Sequence, residues 1–140
     1  YEARTGVDVR TIESAGAAGG LAGGLAALGA SLEPGFDVVA GAAGLGDALE
    51  NAAIVVTGEG RLDGTSLAGK VVGGALEWAS EHGVARRAVI AGQVVPDSRA
   101  TLEAQGVLVL ALSDRVWQAS ETFTRAALLV SEAATEIARS

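Results

Sequence analysis

The sequence predicts an α/β fold built on a parallel sheet, and three observations carry that prediction. Short apolar runs at residues 53–57, 88–91 and 107–112 have the continuous hydrophobicity of strands buried on both faces. Segments of helical length separate and follow them, the alternation expected of a parallel sheet with crossover helices. Residues that punctuate structure, Gly83, Gly92, Pro96 and Gly106, fall at the expected junctions.

In chain order, residues 1–14 read as an irregular or strand-like lead in which Val7 and Val9 alternate with Asp8 and Arg10. Residues 15–30 read as a Gly/Ala helix opened by a flexible loop, with Ser14 available as its cap. Glu33-Pro34-Gly35 ends that segment, a short helix over 36–43 closes near Gly44, and residues 47–50 add a helical turn. The first strand, 53–57, runs into a polar glycine-rich loop from Gly58 to Gly64. Residues 66–82 form the next helix, stopped by Gly83. A second strand at 88–91 breaks at Gly92, Pro96-Asp97 opens a helix that Gly106 closes, and 107–112 is the third strand. A last helix over 120–139 carries Phe123, Ala127, Val130, Ala134 and Ile137 as one apolar core stripe. The result is a Rossmann-like parallel sheet with flanking helices, organised as a glycine-rich helical segment over 1–52 and a βαβαβα half-sheet over 53–140.

Composition narrows the function. The 140 residues carry a net charge of −7, and Lys70 is the only lysine. No basic face is long enough to displace counterions from a duplex, so a nucleic-acid partner is not expected. Cysteine is absent, which excludes disulfides and thiolate metal sites and is compatible with a cytoplasmic location. The uncharged stretch 15–32 places Gly16, Gly20 and Gly24 at the spacing of membrane helix dimers. Its glycine content makes transfer into lipid poor, so a soluble packed helix or a phosphate loop is the better reading. The chain opens at Tyr1 without a Met, consistent with part of a longer polypeptide.

Ligands of open α/β sheets bind beyond the carboxyl ends of the strands, so the segment after Thr57 is the first candidate site. Gly58 and Gly60 permit close approach of a ligand. Arg61 can grip a carboxylate or phosphate at two points, and Glu59 or Asp63 can accept a hydroxyl proton or hold Mg²⁺. A surface turn with a local ion pair accounts for the same residues equally well. Asp63 occupies the third-glycine position of a dinucleotide fingerprint, which disfavours a nicotinamide enzyme. Gly64 to Gly69-Lys70 has the spacing of a phosphate loop but continues with Val71 where Ser or Thr would bind Mg²⁺. Gly16, Gly19 and Gly20 form a second glycine-rich segment, able to present N–H groups to an anion or to pack closely against a neighbour. His82 reads as a helix-end residue interacting with the dipole.

At these segments the chain resembles the glycerate kinase family. The resemblance rests on Ala15-Gly16-Ala17-Ala18-Gly19-Gly20-Leu21, on Val55-Val56-Thr57-Gly58-Glu59-Gly60-Arg61-Leu62-Asp63, and on Gly69-Lys70. It covers most of this chain and about the last third of a full-length family member. It implies a two-domain α/β enzyme with its active cleft between domains, the 1–52 segment lying near that cleft. The implied reaction is ATP- and Mg²⁺-dependent phosphorylation of glycerate. The implied site is Glu59, Arg61 and Asp63 for chemistry, Gly16, Gly19, Gly20, Gly58, Gly60 and Lys70 for substrate and nucleotide, and Glu59 with Asp63 for Mg²⁺. Partners on this reading are glycerate, ATP, the N-terminal part of the same polypeptide and a second copy in a homodimer. The chain departs from the family pattern at Glu13-Ser14, where Pro-Gly is usual, and at Thr65, Val72 and Gln93, where glutamine, proline and serine are usual. A non-catalytic α/β module that binds a small anion or packs on a partner is the competing expectation, because half a cleft cannot assemble a transition-state environment.

Overall fold

The computed structural model describes residues 1–68, 70–118 and 120–139. The chain divides into two compact units, Tyr1–Pro34 and Gly35–Ser140. In the first unit the lead is helical where strand-like alternation was expected. A short helix α1 (Glu2–Thr5) and a 3₁₀ turn (Val9–Thr11) flank Gly6 and Asp8. Local polar bonds outweigh the weak alternation: Asp8 accepts from the Arg10 backbone N–H and binds the Arg10 guanidinium at 2.7 Å. The Gly/Ala segment is likewise not one helix. A 3₁₀ turn (Ala17–Gly20) with left-handed residues inside it precedes helix α2 (Leu21–Ala27). Among the described residues no helix is long and apolar enough to cross a membrane.

The second unit holds helices α3 (Gly35–Ala42) and α4 (Leu45–Leu49), then strand β1 (Ile54–Leu62) and helix α5 (Val71–Glu81). Strand β2 (Arg86–Val94), helix α6 (Pro96–Ala104) and strand β3 (Val107–Ala111) follow. A 3₁₀ turn (Leu112–Arg115) leads to helices α7 (Glu121–Thr124) and α8 (Ala126–Arg139). The sheet is parallel in the order β1-β2-β3, an α/β sheet of Rossmann-like type flanked by helices. Side chains alternate across it. Val89, Ala91, Val107 and Val109 face α5 and α6 in one core with Leu62, Val72, Leu76 and Leu102. Ile90 and Leu110 face the other way, against Leu112 and the α8 residues Leu129 and Ala133. Helix ends follow their local signals: Pro96 sits in the first turn of α6, and Gly83 and Gly106 take left-handed φ of 72° and 74° after α5 and α6.

Two expectations are corrected. The strands do not stop at their first glycines. β1 runs through Gly58-Glu59-Gly60-Arg61 to Leu62, paired with β2 up to Val94. These glycines serve close strand approach: a Cβ on Gly58 would collide with the Ile90 carbonyl oxygen, and one on Gly92 would lie 2.5 Å from the Gly60 oxygen. The expected core stripe of the last helix is also displaced. Arg125 interrupts it, Phe123 is 82% exposed and Val130 is half-exposed, whereas Leu129, Ala133 and Ile137 are buried. Leu129 at 1% exposure meets the sheet, and the alternative stripe therefore points outward.

Two stability predictions follow from these corrections. Leu129→Ala should cost about 2–5 kcal/mol, while Phe123→Ala should stay within about 0.5 kcal/mol, both read by urea denaturation. Gly92→Ala should cost about 1–3 kcal/mol through the clash with the Gly60 carbonyl, again measured as a shift in the urea midpoint.

Candidate functional site

The extension of β1 and β2 decides where the polar side chains go. Glu59, Gly60 and Arg61 of β1 and Gly92 and Gln93 of β2 line a pocket of about 450 Å³ at the carboxyl ends of the strands. Leu112, Phe123 and Ala126 supply its apolar wall. A second pocket of about 370 Å³ shares Glu59, Gly92 and Leu112 with the first and adds Thr57, Gly58 and Val130. Glu59 therefore stands between two concavities. Its Oε1 is buried and has no hydrogen-bond partner. A polar oxygen removed from water without a partner is costly, so this atom is one that a hydroxyl donor or a cation would satisfy. Arg61 pairs across the ladder with Gln93, and its nearest carboxylate contact is long, 4.0 Å from Nε to Asp63 Oδ2. Among the described residues no bond occupies the Arg61 terminal nitrogens or the Gln93 amide.

Asp63 behaves differently. It caps the 3₁₀ turn Gly64–Leu67 in a reciprocal box with Ser66. Its Oδ1 accepts from the Thr65 backbone at 2.9 Å and from the Thr65 hydroxyl at 2.8 Å, and Ser66 Oγ accepts from the Asp63 N–H at 3.1 Å. The Thr65 hydroxyl and backbone N–H, with a smaller contribution from Arg61, hold the Asp63 carboxyl below the usual carboxylate range. Lys70 precedes α5, and its Nζ donates to Thr65 Oγ1 at 3.1 Å. Asp63, Thr65 and Lys70 thus form one chain of bonds. Lys70 also edges a separate, largely apolar pocket of about 540 Å³ with Phe36, Val39 and Leu45.

The structure accordingly brings Glu59, Gly60 and Arg61 together in one pocket, with Gly58 in the adjoining one. Asp63 and Lys70 line neither of these two pockets. Gly69 of the Gly69-Lys70 pair lies outside the described residues. Gly16, Gly19 and Gly20 belong to the first unit, where Ala18, Gly19 and Gly20 take positive φ in succession (51°, 68° and 91°). Three left-handed residues in succession make a tight turn, and for Ala18 that conformation carries a steric cost. His82 takes its expected place at a helix end: Nδ1 lies 2.8 Å from the Trp78 carbonyl oxygen and the ring stacks on Trp78.

For Mg²⁺, no cluster of three or more acidic or histidine side chains exists among the described residues. Magnesium commonly takes only one or two carboxylates and completes its shell with phosphate and water. The unpartnered Glu59 Oε1 fits that donor chemistry, and Asp63 has only Oδ2 left to offer. Sequence reasoning missed Gln93, Leu112 and Phe123 as pocket residues. The rule that placed attention on the end of the first strand would have found Gln93 at the end of the second.

The architecture is a parallel α/β sheet with unpartnered polar groups at its carboxyl edge, the place where open sheets of this kind bind ligands. The sequence matches the Glycerate kinase family over residues 1–140, and the chain belongs to that family. It is 36% identical over 138 residues to a protein named glycerate kinase from Halalkalibacterium halodurans, covering 98% of this chain and 36% of the relative. It is 46% identical over 66 residues to the glycerate 2-kinase of Escherichia coli, covering 46% of this chain and 17% of that protein. An uncharacterised protein of Mycobacterium bovis is 38% identical over 113 residues, 81% of this chain and 29% of its own length. The chain thus spans about a third of the length of the H. halodurans relative. No solved structure gives a significant match.

The Asp63 cap has a pH signature. A carboxyl whose folded pKa is depressed contributes stability above its unfolded pKa and loses it as pH falls through the folded value. The melting-temperature gap between wild type and Asp63→Ala, in metal-free buffer, should be full at pH 7 and close progressively below about pH 4. A gap unchanged down to pH 2 would show that the cap does not depend on the ionised form.

Proposed function

We propose that this chain supplies part of the active cleft of a cytoplasmic, ATP- and Mg²⁺-dependent kinase that converts glycerate to phosphoglycerate. The observation that carries the reading is the buried, unpartnered Glu59 Oε1 beside the open guanidinium of Arg61 in a pocket at the strand ends. Membership of the Glycerate kinase family and the names of two relatives support it.

Phosphoryl transfer depends mainly on positioning the acceptor and neutralising charge. Arg61 holds the glycerate carboxylate through its planar fork. Glu59 meets the acceptor hydroxyl and receives its proton as the oxygen becomes nucleophilic, or contributes an oxygen to Mg²⁺. Glu59, and Asp63 through its remaining Oδ2, would hold Mg²⁺, which when bound offsets the charge of the nucleotide phosphates. Gly58 and Gly60 keep the floor of the site free of side chains. The backbone of Gly16, Gly19 and Gly20 and the ammonium of Lys70 offer further anion contacts for the nucleotide. The chain covers about a third of the H. halodurans relative, and on this reading the remaining nucleotide contacts come from an N-terminal part of the same polypeptide. The 140 residues alone then bind ligand weakly and do not turn over.

In the full-length polypeptide that carries this sequence, glycerate-dependent ATP consumption should be measurable. Arg61→Ala should raise the glycerate KM and lower kcat/KM by about 100-fold or more. Glu59→Gln should lower kcat by about 100-fold with a smaller effect on KM. Turnover within about threefold of wild type in both variants would remove these roles. Binding of a small anion without any phosphoryl transfer would favour a non-catalytic module instead.

A further inference from the structure

We infer that Gln93 is the residue that sets substrate specificity at this site, reading the carboxylate of a compact hydroxy acid together with Arg61. The inference rests on the kinase reading for the identity of that acid, but its structural grounds are separate.

Gln93 and Arg61 are register partners on adjacent parallel strands, so they occupy the same level of the sheet. Both line the pocket that contains Glu59. Close approach of the strands here is enforced by glycine, since no Cβ fits at Gly92 against the Gly60 carbonyl oxygen. The side chains of residues 61 and 93 therefore issue from backbones held side by side. The Gln93 amide makes no internal hydrogen bond among the described residues. A carboxylate held by the Arg61 fork has lone pairs left over, and an amide N–H₂ beside the guanidinium donates to one of them. Glutamine places a planar amide, donor and acceptor together, in the pocket lining. It favours a small planar anion at the strand ends and leaves the hydroxyl-bearing end of the acid to Glu59. Leu112, Phe123 and Ala126 of the wall are apolar, and Thr122 adds a hydroxyl to the same lining.

Removing a hydrogen bond that reads a charged substrate group raises KM for that substrate. In the full-length polypeptide, Gln93→Leu should raise the glycerate KM about tenfold and Gln93→Glu more, with kcat and the ATP KM moving less than about twofold. Glyceramide, in which the carboxylate is a neutral amide, should gain ground: the preference of wild type for glycerate over glyceramide should shrink about tenfold in Gln93→Leu. An effect confined to the ATP KM, to kcat or to melting temperature would overturn the assignment, as would a glycerate KM unchanged in both variants.

Equilibrium dialysis of radiolabelled glycerate without nucleotide separates this inference from the kinase reading. If wild type binds glycerate, Gln93→Glu weakens that binding and no ATP is consumed, the specificity assignment stands and the kinase reading fails. If wild type binds no glycerate at millimolar concentration, or both proteins bind it equally, the assignment is wrong.

Discussion

The close approach of β1 and β2 at their glycines is the constraint on which the site depends. Nothing larger fits at Gly58 against the Ile90 carbonyl, or at Gly92 against the Gly60 carbonyl. With these positions open, the parallel ladder continues to Leu62 and Val94 and satisfies the backbone by interstrand pairing. Pairing with β2 takes up one side of the β1 backbone and leaves Glu59 Oε1, the Arg61 terminal nitrogens and the Gln93 amide without a bond among the described residues. A mobile loop carrying the same residues would meet a ligand only after losing conformational entropy. A hydrogen-bonded strand has already lost it on folding, so the polar groups are held for binding by the fold itself.

Much of this architecture is legible in the sequence, and the parts that are not share one cause. Ile54 to Thr57, Val89-Ile90 and Val107 to Ala111 announce strands because a short, unbroken apolar run suits a strand covered on both faces. Gly83 and Gly106 announce helix ends because left-handed backbone strongly favours glycine. Gly58 and Gly92 carry the same letter for a different reason. Local reading treats glycine as a breaker, whereas here its missing Cβ admits the neighbouring strand. Only knowledge of the neighbour distinguishes the two uses. The last helix fails in the same way. Stripes through Phe123 and through Leu129 converge on Ile137, and only the position of Leu110 and Leu112 selects Leu129 for the core.

At the site, the residue types were readable and their division of labour was not. Glu59, Arg61 and Asp63 lie within five positions, and spacing gives each carboxylate an equal claim to a metal or a hydroxyl. The structure separates them by what else each one touches. Asp63 accepts two bonds from Thr65 and closes a capping box, so one of its oxygens is committed to holding the turn before α5. Glu59 Oε1 has no such commitment and is buried. The difference arises because Asp63 falls one residue beyond the strand, where free N–H groups of a turn await a cap. Glu59 falls inside the strand, where backbone N–H groups are already paired. The Thr65 hydroxyl bridges Asp63 and Lys70.

That commitment matters for how an acidic chain can receive an anion. A net charge of −7 opposes an approaching carboxylate or phosphate at long range, but at physiological salt the field of exposed charges decays within about 8 Å. What remains is the set of groups that touch the ligand. If Asp63 were free to swing onto Arg61, the guanidinium would be half-neutralised before any substrate arrived. The bonds from Thr65 hold the Asp63 carboxylate at the turn, and the Arg61–Asp63 contact stays at 4.0 Å. The terminal nitrogens of Arg61 stay without a bond among the described residues, and Lys70 donates to the same threonine. The cap of the 3₁₀ turn ahead of α5 thus also keeps Asp63 from closing on the cation that lines the pocket.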